Sequence, residues 1–333
     1  MKTVMLAIIA SLLLVTSACS STVPAPAGTS PGTVATTVGS NLPGGAWARL
    51  APLPTARGEV AAAELSGKIY VVGGLGPGAS ANEEYDPAAD AWRKRADIPQ
   101  PVDHAAAVSL EGKLYVIGGF DGAFGPVASV WAYDPLADAW ARKAGLATPR
   151  GALGAAVVGG RIYAIGGRGA EADVGANEVY DPVTDTWTAR APMPTPRDHV
   201  AVSAVGGKIY VIGGRFSTFV QNTGVNEVYE PQRDAWTERA SLPTPRSGIA
   251  SAVVNDRIYV FGGEGSEGTF NQNERYYPAT DSWQAMPAML TARHGLGAAA
   301  VGNRIFVLAG GTAPGGSQSA LNEAFTVPEG DKP

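Results

Sequence analysis

An apolar run that alternates bulky and smaller side chains, and ends at glycine, recurs six times along the chain. The copies are Ile69-Tyr70-Val71-Val72-Gly73-Gly74, Leu114-Tyr115-Val116-Ile117-Gly118-Gly119, Ile162-Tyr163-Ala164-Ile165-Gly166-Gly167, Ile209-Tyr210-Val211-Ile212-Gly213-Gly214, Ile258-Tyr259-Val260-Phe261-Gly262-Gly263 and Ile305-Phe306-Val307-Leu308-Ala309-Gly310-Gly311. Short runs rich in Ile, Val and Tyr favour a pleated, buried strand. The glycine doublet lets the chain leave that strand in a backbone shape closed to other residues. No segment carries a convincing 3.6-residue period, so helix is expected to be nearly absent.

A second pattern follows five of the runs, in its fullest form Asn-Glu-x-Tyr-Asp-Pro-x-x-Asp-x-Trp, as in Asn177 to Trp187. The second copy keeps only the latter half, Tyr133 to Trp140. Asp-Pro followed by polar residues is a turn, with proline fixing φ at its second position. The Trp then opens a further strand. Each repeat therefore predicts four short strands: an Ala-rich inner one such as Gly154 to Val158, the glycine-doublet strand, the Tyr strand and the Trp strand. The glycine doublet, the Tyr and the Trp together resemble the Kelch motif, over essentially everything from Trp47 onward. That resemblance implies an all-β fold, a six-bladed Kelch-type β-propeller with four-stranded blades.

The way the ring closes is also legible. The last repeat runs through Asn322-Glu323-Ala324-Phe325 and stops before any Trp strand, while Trp47 to Leu50 is an orphan Trp strand ahead of the first repeat. The orphan is expected to complete the last blade and so remove an open edge.

Composition adds compartment and excludes partners. The 333-residue chain has a formal net charge of −5 and no basic run, so no nucleic-acid partner is expected. Its single cysteine, Cys19, allows no internal disulfide and no cysteine-based metal site. Lys2, the uncharged run Val4 to Val15 and the small residues Ser17-Ala18 before Cys19 read as an export signal. The Ser-Ala-Cys junction resembles a bacterial lipoprotein box, although Thr16 stands where a larger aliphatic residue is usual. This implies lipidation of Cys19 and a cell-envelope location, membrane-anchored, with a secreted or periplasmic soluble form as the alternative. Ser20 to Ala46 is uncharged and rich in Ser, Thr, Pro, Ala and Gly, the composition of a flexible tether. The expected organisation is residues 1–19 signal, 20–46 tether and 47–333 propeller.

Strand parity puts the loops between second and third strands on one face, together with the links from each blade to the next. The other face carries the short 1–2 turns and the uniform 3–4 turns. The 2–3 loops vary, as Leu75 to Ala81, Phe120 to Ala128, Arg215 to Val225 and Glu264 to Gln272 show, and variable loops on a rigid scaffold are where recognition usually lives. Phe120, Phe124, Phe216, Phe219 and Phe270 offer apolar contact area there. The links align as Arg57-Gly58-Glu59, Val102-Asp103-His104, Arg150-Gly151-Ala152, Arg197-Asp198-His199, Arg246-Ser247-Gly248 and Arg293-His294-Gly295. They enter the innermost strands, so Arg57, Arg150, Arg197, Arg246, Arg293 and His294 are expected to ring the mouth of the central channel and bind a ligand with acidic groups. The competing reading is that each arginine donates to nearby carbonyls as part of the scaffold.

Asp103-His104 and Asp198-His199 occupy matching slots and are the candidate proton shuttles. Lying two blades apart, they are expected across the channel from one another and too far apart to share a metal ion. No metal and no cofactor are therefore expected. Gly74 to Ala79 and Gly167 to Ala172 fit a dinucleotide fingerprint, but a strand follows each where that chemistry needs a helix N-terminus. The leading functional expectation is a monomeric binding module for a protein, peptide or glycan. The alternative is a carbohydrate-active enzyme, because Kelch propellers of this size resemble bacterial sialic-acid mutarotases. A galactose-oxidase-like copper enzyme is excluded, since that resemblance would need a Tyr joined to a Cys.

Overall fold

The computed structural model describes residues 44–218 and 220–328, so Cys19, most of the expected tether and Phe219 lie outside the described residues. Six antiparallel four-stranded sheets account for nearly all the regular structure, and no helix occurs among the described residues. Blade 3 shows the plan, with Gly154–Val158 innermost, then Arg161–Ile165, Asn177–Asp181 and Thr186–Ala189. Its register pairs Ala156 with Tyr163, Tyr163 with Val179, and Val179 with Thr188.

Burial follows position in the blade. Inner strands alternate buried and half-buried, because one set of side chains packs against a neighbouring blade and the other lines the channel. Second strands are buried along almost their whole length, being covered on both faces by other blades. The core is accordingly a set of wedges between blades. One such wedge packs Tyr163, Ile165 and Val179 of blade 3 against Ile209, Val211 and Tyr229 of blade 4.

The ring closes as the pattern predicts. Ala46–Arg49 pairs with Asn322–Thr326 in the last blade, Trp47 opposite Phe325. The indole of each fourth-strand Trp then donates to a carbonyl of the preceding link: Trp92 to Ala51, Trp140 to Ala96, Trp187 to Ala144, Trp236 to Ala191 and Trp283 to Ala240, all at 2.8 Å. Trp47 makes the same bond to Pro287. A 3–4 turn aspartate completes each stitch in five blades. Asp234, for example, accepts from the Tyr229 hydroxyl at 2.6 Å and from the Ala191 amide at 2.8 Å.

The glycine doublet does what its residue type requires. Gly118 has φ of 62° and Gly119 of 106°, and the Gly119 amide donates to the Arg150 carbonyl at 2.9 Å. A Cβ on Gly118 would lie 2.5 Å from that carbonyl oxygen. In blade 6 the pair in this conformation is Ala309-Gly310, with φ of 56° and 89°, so alanine stands where the other blades have their first glycine. The equivalent bond there runs from Gly310 to the Arg57 carbonyl.

Candidate functional site

Six residues, one from each link, form a closed backbone ring around the channel at the loop face. Each has positive φ: Glu59, His104, Ala152, His199, Gly248 and Gly295, between 52° and 65°. The amide of His104 donates to the Glu59 carbonyl, Ala152 to His104, His199 to Ala152, Gly248 to His199 and Gly295 to Gly248, at 2.8–3.2 Å. Val60 donates to Gly295 and completes the circle. A ring closed by single backbone bonds is narrow. It pinches the channel to a neck whose cavity is about 80 Å³, beside the main channel of about 430 Å³ lined by the inner strands.

The arginines do not ring this mouth. Arg57, Arg150, Arg197, Arg246 and Arg293 are each completely buried inside a blade. Arg197 donates to the Gly213, Thr195 and Val211 carbonyls at 2.8 Å and to Glu227 at 2.5 Å. Glu83, Glu178, Glu274 and Glu323 partner the other four. Burial pulls the pKa of each guanidinium down while its glutamate pulls it back up. The expected ligand-binding ring is thus corrected to a set of scaffold ion pairs, because the long side chain turns into the blade rather than across the mouth.

The glutamates are residues that reading the links alone missed, and the sequence carries a signal for them. Blade 2 has Val102 in the arginine slot and Trp131 in the glutamate slot, so both partners are lost together. Val102 and Trp131 instead join an apolar cluster.

The histidines converge instead of standing apart. His104 and His199 have ring centroids 5.0 Å apart, edge to face, because alanine or glycine fills the other slots of the narrow neck except that of Glu59. Both Nε2 atoms face Glu59, at 3.5 Å for His104 and 4.0 Å for His199. The Nδ1 of His104 meets Asp103 at 2.5 Å and that of His199 meets Asp198 at 2.6 Å. His294, also expected at the mouth, is buried beneath, with Nε2 at 2.8 Å from the Gly315 carbonyl and 3.3 Å from Glu59. The expectation that the two Asp-His pairs lie too far apart to share a ligand is therefore corrected.

Residues of the 2–3 loops complete the cluster. Arg215 reaches Asp198 through Nε at 3.0 Å, Glu264 through Nη1 at 2.6 Å and His199 Nε2 through Nη2 at 3.0 Å. Phe120 stands edge-on to His104 at 5.3 Å, with Phe124 beyond it at 6.5 Å. Burial pushes the His199 imidazole well below the usual histidine range, and the Arg215 guanidinium pushes it further the same way. His104 is buried too, yet the Glu59 and Asp103 carboxylates outweigh that and raise it. Burial opposes ionisation of Glu59, but the three imidazoles and Arg215 prevail and hold it low. Two imidazoles in one site are thus pushed in opposite directions, His104 up and His199 down.

Above the neck the loops are tied to one another. Ser217 receives Arg168 on its hydroxyl at 3.1 Å and gives its amide to Asp173 at 2.8 Å. Glu264 binds Asn222 through its carbonyl and the Gly315 amide through its carboxylate. Thr269 bonds the Thr312 carbonyl. Loops of blades 3 to 6 so form one braced crown. Phe124 is 63% exposed on this face, with Phe216 and Val220 also exposed, whereas Phe120 is buried and Phe270 half-buried.

Comparison with known proteins bears on the fold. The profile of the KLHDC2/KLHL20/DRC7 Kelch-repeats domain matches residues 59–241 and 188–326. Among solved structures the chain is similar to the protein described as "Structure of YjhT", with a TM-score of 0.73 and 18% identity over 84% of this chain and 97% of that one. At that identity the likeness concerns the fold. No curated protein matches the chain in sequence.

Proposed function

The chain belongs to the Kelch-repeat family of β-propellers, and from that premise we propose that it is a binding module whose protein, peptide or glycan ligand seats on the crown of 2–3 loops. The braced crown carries this reading. Loops already held by bonds between blades lose little conformational freedom on binding. Exposed aromatics, Phe216 on that crown and Phe124 on the blade 2 loop of the same face, are the residue type that anchors interfaces. A sugar-isomerising role would require substrate to reach His104 and His199, and a neck cavity of about 80 Å³ is small for a monosaccharide. The crown is therefore the favoured seat.

Peptide and glycan arrays probed with the labelled protein test this, followed by titration of the best hit. Phe124→Ser and Phe216→Ser should each weaken binding about tenfold or more, the ~1.4 kcal/mol or more expected of an interface anchor. Leu136→Ser alters a 98% exposed apolar residue in a 3–4 turn of the opposite face and should leave affinity unchanged. The opposite ranking would refute the crown as the binding face.

We further propose that the protein is exported and held at a membrane through Cys19, on the support of the apolar run and the Ser-Ala-Cys junction. Cys19→Ser should move it from the membrane fraction to the soluble one. Unchanged fractionation would refute the anchor.

A further inference from the structure

The neck gathers ligand atoms that no ion pair or scaffold bond fully explains. One carboxylate oxygen of Glu59 and one nitrogen each of His104 and His199 all lie within 4.8 Å of one another. We propose that Glu59, His104 and His199 bind a single divalent transition-metal ion of the zinc class. The inference is independent of what seats on the crown.

Three observations support it. First, both histidines are prepared as ligands. Asp103 and Asp198 accept from the two Nδ1–H groups, which leaves each Nε2 lone pair facing Glu59. A carboxylate behind a ligating imidazole fixes its tautomer and strengthens it as a donor. Second, the spacing suits the ion. Bonds of ~2.0–2.2 Å in a tetrahedral site put neighbouring ligand atoms about 3.3–3.6 Å apart, and the Glu59–His104 separation is 3.5 Å. The 4.0 Å to His199 needs only a small rotation about the Glu59 side chain. Third, four buried carboxylates crowd the site: Arg215 pairs with Asp198 and Glu264, while Glu59 and Asp103 face the imidazoles.

Two imidazoles and one carboxylate select a borderline ion over magnesium or calcium, which prefer all-oxygen sites. The cavity of about 80 Å³ at the neck leaves room for water to complete the coordination. His294 is not a ligand, since its Nε2 proton is given to the Gly315 carbonyl, and its place is to hold Glu59. Arg215 Nη2 meets His199 Nε2 at 3.0 Å, so on metal binding it must step aside while keeping Asp198 and Glu264.

The test uses tag-free protein, stripped by dialysis against a chelator and titrated with Zn(II), Co(II) and Mg(II). One equivalent of Zn(II) per chain, a raised melting temperature and Co(II) ligand-field bands of tetrahedral intensity are expected. His104→Ala and His199→Ala should lose affinity a hundredfold or more. Asp103→Asn and Asp198→Asn, milder changes that keep the packing, should lose about 10- to 100-fold. Arg215→Gln should tighten binding by releasing the His199 nitrogen. Less than one equivalent of Zn(II) in the wild type would overturn the proposal whatever the variants do. Equal affinity for Mg(II), or folded histidine variants that bind as well as wild type, would overturn the imidazole assignment.

Discussion

A guanidinium taken out of water keeps its charge, so burying five of them demands an acidic partner for each. Glu227 serves Arg197 in that way, and Thr195 donates its hydroxyl to the other carboxylate oxygen. Breaking such a pair leaves an uncompensated buried charge. Arg197→Ala should therefore destabilise the protein by about 3–5 kcal/mol, read from the midpoint of urea unfolding. Arg197→Met combined with Glu227→Leu removes both charges and should recover most of that loss. Blade 2, with Val102 and Trp131 in those slots, is a natural instance of the exchange. A double variant no better than the single one would show that the pair is needed for more than charge balance.

Within a blade, the 3–4 turn is where the element meets its neighbour. Asp138, Asp185, Asp234 and Asp281 have φ near 50° and each accepts from a tyrosine hydroxyl of the same blade and an alanine amide of the link beside it. The Ala96 amide and the Tyr133 hydroxyl hold Asp138 below the usual carboxylate range. The tyrosine hydroxyl and then the alanine amide do the same for Asp185 and Asp234. A carboxyl depressed in the folded state stabilises the protein above its ordinary pKa, and that stability is lost as pH falls through the depressed value. These groups are largely in contact with solvent, so each contributes at most about 1 kcal/mol after screening. Stability should fall steadily from about pH 4 downward. Asp234→Asn should flatten that slope in a pH series of thermal melts. An identical slope in the variant would remove Asp234 from the acid response.

At the scale of the whole ring, closure rests on four residues from the start of the propeller. Trp47 packs edge-on to Phe261 at 5.8 Å and against Phe325 at 5.2 Å, and donates to Pro287. Trp47→Ala removes a large buried side chain at the junction of two blades and should cost about 3–5 kcal/mol. Deleting Ala46–Arg49 bares the third strand of the last blade, an edge that invites pairing with another chain. A lower melting temperature together with concentration-dependent self-association is the expected result. An unchanged melt would mean that the last blade stands with three strands.

Much of this was legible because it is repeated. The glycine-ended strand recurs at intervals of 45–49 residues, five copies followed by a Tyr strand, a turn and a Trp strand, and a six-fold pattern with an orphan strand admits few architectures. Strand parity also placed the variable loops and the links on one face. What the links do there was decided by the tertiary structure alone. Whether an arginine turns into its blade or across the mouth depends on a glutamate some thirty residues away, paired through strand order rather than through local pattern. The convergence of Glu59, His104 and His199 depends on how tightly six blades draw their entry residues into one hydrogen-bonded ring. The sequence lists the members of that ring, but its width is set by packing between wedges, and only the width brings three ligands to one point.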